Sequence, residues 1–274
     1  MTHHGVHFMS GLPRSGSTLL SAILKQNPAI RHAGISTPVA PMMVKLTSVM
    51  VEGEFQTEFD SGATSRILRG TLYNYYGSDG TDGVIIDNNR MWCTRLGLID
   101  SLFPNARVIC CVRDPVWIVD SFERLFQRDP LLSSKIVPIQ SRGNLHDRVE
   151  HLLSKDGPFG YCWRALNEAY FGTFAQKLLL VDYDRLVTDP SGTLRQITGV
   201  LGLPKYDYDF NKVDTNEPIA FDQQLGTPGL HTVRPQVAAS HRRPVLPPEI
   251  VSRLAGGTFW RKQDMNPGRA TIIA

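Results

Sequence analysis

The chain has 274 residues, with 29 lysines and arginines against 26 aspartates and glutamates, for a formal net charge of +3. That length and a hydrophobic content of 42% suit one large domain over 1–274 with a sizeable core. The charge is too mild, and the basic residues too scattered, for a nucleic-acid surface, whereas small anionic ligands suit it.

No apolar run approaches membrane-span length, which argues against a membrane protein. The start carries polar His3 and His4, and Gly11, Pro13 and Arg14 break its first apolar run, so no signal peptide is expected. The cysteines are Cys93, Cys110, Cys111 and Cys162, and none forms a pair spaced for zinc or redox chemistry. Buried thiols, no metal and a cytoplasmic setting are expected.

The first element is an apolar run, Val6 to Met9, followed by the tight loop from Gly11 to Thr18. An apolar-periodic helix follows through Leu19, Leu20, Ile23 and Leu24. Strand, glycine loop and helix make a phosphate cradle, because the loop N–H groups and the helix N-terminus converge with partial positive charge. A nucleotide-triphosphatase loop would carry lysine where Ser17 stands, and that lysine reaches the β- and γ-phosphates. The cation here is Arg14 instead. The alternative is a plain strand-turn-helix corner.

Pro28 ends the continuation of the first helix. Residues 29–62 read poorly, with a helix over Met42 to Val51 in an excursion expected on the substrate side. A helix is predicted over Arg66 to Tyr76, and Val84 to Ile86 is a buried strand leading into Asp87 to Arg90. Met91 to Phe103 shows helical spacing up to Pro104. Arg107 to Val112 is another strand, and Asp114 and Pro115 suit an N-cap and first helical residue. Asp129 to Asn144 reads as loop, Leu145 to Leu153 as helix, and Phe159 to Phe174 as a longer helix with an apolar core stripe. Leu178 to Val181 is a strand, Pro190 to Leu201 a helix stopped by Gly202, and Pro248 to Leu254 a terminal helix. Continuous apolar strands alternating with helices predict a parallel sheet covered on both faces. Ligands of such sheets bind at the carboxyl ends of the strands. The polar loops there are Gly11–Thr18, Asp87–Arg90, Arg113–Pro115 and Asp182–Asp184.

A second anion site is suggested by Arg113 at a strand end, with Ser121 two turns into the next helix. Arginine grips phosphate bidentately and a serine hydroxyl adds a hydrogen bond. With the opening loop, this pattern resembles the sulfotransferases that use 3′-phosphoadenosine 5′-phosphosulfate (PAPS), in their tyrosylprotein and bacterial branches. Pro13 to Leu19 is similar to their 5′-phosphosulfate loop, and Val112 to Pro115 with Ser121 to their 3′-phosphate element. Leu102 to Arg107, Val181 to Leu186 and Gly226 to His231 extend the likeness over about the whole chain.

The resemblance implies a P-loop-like three-layer α/β fold, with a central parallel sheet flanked by helices. It implies that Arg14, Ser15, Gly16, Ser17, Thr18 and Leu19 hold the 5′-phosphosulfate, and that Arg113 and Ser121 hold the 3′-phosphate. Tyr183 would position the nucleotide, while Gly226, Gly229, Leu230, His231 and Arg234 would close over it. The implied activity is sulfuryl transfer from PAPS to a hydroxyl or amine of a small-molecule or peptide acceptor, without a metal.

Two departures stand out. The family's catalytic lysine is matched here by Asn88, with Arg90 nearby, and its glutamate base falls in Ala33 to Ser36, which holds no carboxylate. His32 is the titratable group nearest in sequence and is expected as the general base together with the catalytic Arg14. Glu52, Glu54, Glu58, Asp60 and His231 stay open as other candidates. Trp92, Trp117 and Phe126 either line a pocket or pack. A degenerate nucleotide kinase or NTPase, or an inert nucleotide-binding module, are the competing functions.

Overall fold

The computed structural model describes residues 5–81, 83–128, 135–214, 219–239 and 242–274. His3, His4 and the first residues of the loop expected from Asp129 lie outside them. Six strands form one sheet: β1 (Gly5–Gly11), β2 (Ile30–His32), β3 (Val84–Asn88), β4 (Val108–Val112), β5 (Leu178–Asp182) and β6 (Thr271–Ile273). Their order is β2-β3-β1-β4-β5-β6 and every pairing is parallel. The helices are α1 (Ser17–Leu24), α2 (Val39–Glu52), α3 (Ser61–Tyr76), α4 (Leu96–Leu102), α5 (Pro115–Arg128), α6 (Leu145–Leu153), α7 (Pro158–Phe171), α8 (Tyr183–Thr188), α9 (Pro190–Leu201), α10 (Ile219–Gln224) and α11 (Pro248–Leu254).

Strand side chains alternate between two apolar clusters, because successive residues of a strand face opposite ways. Phe8, Val108, Cys110, Leu178 and Leu180 join one cluster with α2, α3, α5 and α7. Met9, Ile109, Cys111, Leu179 and Val181 join the other with α1 and α9. The result is a P-loop-like, three-layer α/β fold. All four cysteines are buried and free. Among the described residues, no helix is long and apolar enough to cross a membrane.

The strand order sets the position of the site. After β1 the chain leaves toward β2 and β3, whereas after β4 it leaves toward β5. The loops following these two neighbouring strands therefore part, and the crevice between them lies at the carboxyl ends, the usual ligand position in such sheets.

Several elements differ from the sequence expectation. Met91 to Phe103 is not one helix: a 3-10 turn, Arg90–Arg95, precedes α4. Asn89 caps that turn by accepting from Met91 N, which holds the first residues in tight turns. The strands β2 and β6 are three residues each at the sheet edges, too short for a pattern to register. The stretch after Asp182 is the helix α8, which Asp182 caps through Asp184 N at 2.9 Å, rather than a loop.

Three buried carboxylates brace this edge of the sheet from behind. Asp87 accepts from Thr37 (2.6 Å), Tyr76 (2.7 Å) and Trp92 (2.6 Å), which ties α3 and the β2–α2 connection to β3. Asp120 on α5 accepts from Arg124 (3.0 Å), Arg242 (2.7 Å) and Val245 N (2.8 Å). Asp182 accepts from Trp260 (2.9 Å) and Arg261 (2.6 Å), anchoring the C-terminal segment under β5.

His7 on β1 contributes a pH dependence. Its Nδ1 accepts from Arg107 N at 3.1 Å, and burial, followed by the Arg107 charge, lowers its pKa from 6.5 to about 4. Between these values the unfolded chain binds the extra proton, so stability present above pH 6.5 is lost as pH falls toward 4. The loss is about 3 kcal/mol at most, at ~1.4 kcal/mol per pH unit. Urea midpoints measured between pH 7 and 4 should fall more steeply for the wild type than for His7→Gln. Parallel curves would contradict this.

Candidate active site

The opening loop needs left-handed backbone at three places: Gly11 (φ 103), Arg14 (φ 57) and Gly16 (φ 89). A Cβ on Gly11 would sit 2.4 Å from the Cys111 carbonyl, so the loop leaves β1 in contact with the β4 backbone. A Cβ on Gly16 would meet Tyr183 Cδ2 at 2.7 Å. Gly16 thus lets Tyr183 reach the loop, and its φ is one that L side chains rarely adopt. Ser15 is buried, with Oγ donating to Pro13 O at 3.3 Å. Ser17 and Thr18 open α1, and among the described residues their hydroxyls make no hydrogen bond.

The second element is β4 into α5. Asp114 accepts from Val116 N at 2.9 Å and Pro115 opens the helix, which fixes Arg113 at the strand end. Arg113 Nη1 donates to the Arg14 carbonyl at 3.3 Å, and its guanidinium carbon lies 4.1 Å from the Tyr183 ring centre. The stacking places the positive charge over the ring's negative face. Arg113 Nε is buried with no partner among the described residues. A buried donor left unpaired costs roughly 1–3 kcal/mol, which marks this nitrogen as waiting for an acceptor.

Arg14 links the two elements. Its Nε donates to Ser121 Oγ at 3.0 Å and its Nη1 to the Leu230 carbonyl. Burial, then the Arg113 charge, lowers its pKa to about 10, so the guanidinium still carries its proton at neutral pH. Burial likewise pulls Arg113 below the ordinary arginine range.

These elements bound a cleft of about 300 Å³. Its lining among the described residues includes arginines at 14, 90, 113, 124, 128, 234 and 242, and no carboxylate or lysine. A cleft of single sign focuses the field on an anion entering it. The structure brings Arg14, Gly16, Ser17, Thr18, Leu19, Arg113, Ser121, Tyr183, Gly229, Leu230, His231 and Arg234 to this lining. It does not bring Ser15, Gly226 or His32. Gly226 sits in the turn after α10, where its N–H donates to Gln223 O. His32 lies on the edge strand β2, its Nε2 accepting from Arg31 at 3.2 Å and its ring 4.7 Å from that of Tyr76. Burial, then Arg31, lowers its pKa.

Asn88 lines the cleft and donates to Gly34 O at 2.9 Å. Ile35 and Ser36 also line it, and bring no acid. Glu52 accepts from Ser48 at 2.6 Å and Asp60 caps α3 through Ala63 N at 2.6 Å; neither of these, nor Glu54 nor Glu58, reaches the cleft. Trp92 is core, held by Asp87. Sequence reasoning missed Arg124, Arg128 and Arg242, which spacing alone does not join to the loop. It also missed Asp222, buried behind His231 at 2.5 Å from its Nδ1. Arg124 and Arg128 at one-turn intervals after Ser121 were the available signal.

Fold and cleft define an α/β protein with a P-loop-like fold and an arginine-lined cleft at the carboxyl edge of its sheet. Residues 7–208 match the model of the sulfotransferase family. The chain belongs to that family.

It is 23% identical over 211 residues to the protein-tyrosine sulfotransferase of Drosophila melanogaster, covering 73% of this chain and 38% of the relative. It is 25% identical over 211 residues to protein-tyrosine sulfotransferase A of Caenorhabditis elegans, covering 72% and 50%. The chain thus spans half or less of the length of these curated relatives. Among solved structures it is similar to the sulfotransferase domain from the curacin biosynthetic pathway, at 16% identity and a TM-score of 0.47, covering 75% of this chain and 76% of that one.

The contact between Gly16 and Tyr183 is open to test against Gly77, which caps α3 at φ 58 with open space around it. Gly77→Ala should cost about 1 kcal/mol for backbone strain alone. Gly16→Ala adds a collision and should cost roughly 2–4 kcal/mol by chemical denaturation. Equal costs would show that the Tyr183 contact is not tight.

Proposed function

We propose that the protein transfers a sulfuryl group from PAPS to a hydroxyl or amine of a small-molecule or peptide acceptor. The observation that carries this is a lining that, among the described residues, has seven arginines and no carboxylate, in a chain of the sulfotransferase family. The two anion elements are joined through the Arg113–Arg14 hydrogen bond, so one ligand with phosphates at both ends can span them.

In this assignment the N–H groups of Gly16 to Leu19 and the start of α1 take the 5′-phosphosulfate. Arg113 Nε, at present unpaired, and Ser121 take the 3′-phosphate. Tyr183 and the Gly229–Leu230 backbone flank the nucleotide, with Arg234 at the rim. Ser17 in the place of a phosphate-loop lysine favours this donor over a nucleoside triphosphate.

The acceptor attacks sulfur in line as the bond from sulfur to the bridging 5′-phosphate oxygen breaks, and adenosine 3′,5′-bisphosphate departs. Charge grows on the bridging and sulfuryl oxygens. The loop N–H donors, fixed beforehand by left-handed backbone, and Arg90 together with Arg14 offset it. Arg90 lines the cleft next to Asn88, where the resemblance puts a lysine. No step needs a metal, and no nucleic acid or membrane partner enters the assignment.

Calorimetric titration with adenosine 3′,5′-bisphosphate in the presence of EDTA tests the proposal. The wild type should bind. Arg113→Ala should weaken binding by about 2–5 kcal/mol, roughly 30- to 4,000-fold. Arg14→Ala should lose both binding and transfer, because it frees Ser121 and the Leu230 carbonyl together. Normal turnover by Arg14→Ala, or binding that requires magnesium and ATP, would contradict the assignment.

A further inference from the structure

We infer that His231, held by Asp222, is the general base that takes the proton of the acceptor. The inference rests on the sulfotransferase function proposed above and names the group that function lacks, since the Ile35–Ser36 segment supplies no acid.

Among the described residues, the titratable side chains lining the cleft are arginines, Tyr183 and His231. Arginine does not release its proton near neutral pH. Tyr183 lies under the Arg113 guanidinium, on the 3′-phosphate side. That leaves the His231 imidazole as the proton acceptor.

Its surroundings suit the role. Asp222 on α10 is buried, with Oδ1 2.5 Å from His231 Nδ1 and Oδ2 accepting from His231 N at 2.9 Å. The carboxylate grips ring and backbone at once, which fixes the tautomer with the proton on Nδ1. His231 lines the cleft and Asp222 does not, and Nε2, on the ring edge away from Nδ1 and its carboxylate, carries the lone pair. Nε2 makes no hydrogen bond among the described residues. The Phe221 ring packs edge-on against the imidazole at 5.5 Å. The neighbouring Leu230 carbonyl receives Arg14 Nη1, which brings this edge beside the phosphosulfate loop.

The charged groups facing His231 are Asp222 on α10, Arg14 on the loop after β1 and Arg90 after β3. Burial lowers its pKa most, Asp222 raises it, and the two arginines lower it further; the net direction is down. The ring is therefore neutral and ready to accept at pH 7.

The step balances. Nε2 takes the proton from the acceptor O–H or N–H as the freed lone pair bonds to sulfur. The bond from sulfur to the 5′-phosphate oxygen breaks, and adenosine 3′,5′-bisphosphate leaves with that electron pair. The imidazolium then returns its proton to solvent. Asp222 acts through the ring and is a positioning residue.

The test uses the full chain with PAPS and two probes as acceptors, benzyl alcohol and water. His231→Asn keeps an amide N–H for Asp222 but has no basic nitrogen. Turnover should fall on the order of 10²–10⁴-fold. Adenosine 3′,5′-bisphosphate should bind within about threefold of wild type, since the tether to Asp222 that positions the Leu230 loop is kept. The acid limb of the wild-type pH–rate profile should disappear in this variant. Asp222→Asn should move that limb to lower pH as well as slow turnover, because the carboxylate is what raises the ring's pKa.

Retained turnover in His231→Asn, or an unchanged acid limb, overturns the inference while leaving the sulfotransferase function intact. A wild type that neither binds the bisphosphate nor consumes PAPS removes that function, and the inference with it. If the wild type binds but transfers to neither probe, nitrogen NMR of His231 decides. An Nε2 that titrates below pH 6.5 supports the role; a ring doubly protonated at pH 7 ends it.

Discussion

Two partly buried arginines joined by one hydrogen bond, in a lining that holds no carboxylate among the described residues, are the constraint on which the site depends. Arg14 and Arg113 are joined through the Arg14 carbonyl; burial and then the Arg113 charge lower Arg14's hold on its proton, and burial lowers that of Arg113. Such an arrangement resists the compact state unless the surrounding frame enforces it. The frame does so with Ser121 Oγ and the Leu230 carbonyl on Arg14, and the Tyr183 ring under Arg113. An entering anion replaces repulsion with charge-assisted hydrogen bonds, the strong kind.

The acids needed for stability stand outside that lining. Asp87, Asp120 and Asp182 are buried and saturated with donors, and each fastens a segment that would otherwise drift from the sheet edge. Asp120 is instructive. It neutralises Arg124 and Arg242 from behind, so these two line the cleft as paired groups, while Arg113 Nε does not. Breaking a buried pair of this kind strands a charge, which is more costly than the pair is stabilising. Stability and ligand recognition are therefore separated by the face of the arginine that each uses.

Much of this was legible in the sequence because local pattern and geometry coincide. Gly11 and Gly16 mark backbone that few other residues adopt, and Asp114-Pro115 marks a helix start in any context. The helices over Leu145–Leu153, Pro190–Leu201 and Pro248–Leu254 fall where spacing and stop signals put them. What escaped was short or tertiary. The edge strand β2 pairs only through Ile30 and His32, with a register shift between them. His32 is the titratable group nearest in sequence to the Ala33–Ser36 stretch, but proximity in sequence does not tell which way an edge strand turns its side chain; here it packs on Tyr76. The Asp222–His231 contact spans a six-residue helix with too little length for periodicity. The arginine lining is assembled from distant segments, so no window of sequence contains it.

A crystal structure with adenosine 3′,5′-bisphosphate bound tests the bridging of the two anion elements most directly. The expected result is one nucleotide, with its 3′-phosphate within hydrogen-bond distance of Arg113 Nε and Ser121 Oγ, and its 5′-phosphate on the N–H groups of residues 16–18. A bisphosphate that engages only one of these elements, or that settles outside the cleft, would contradict it.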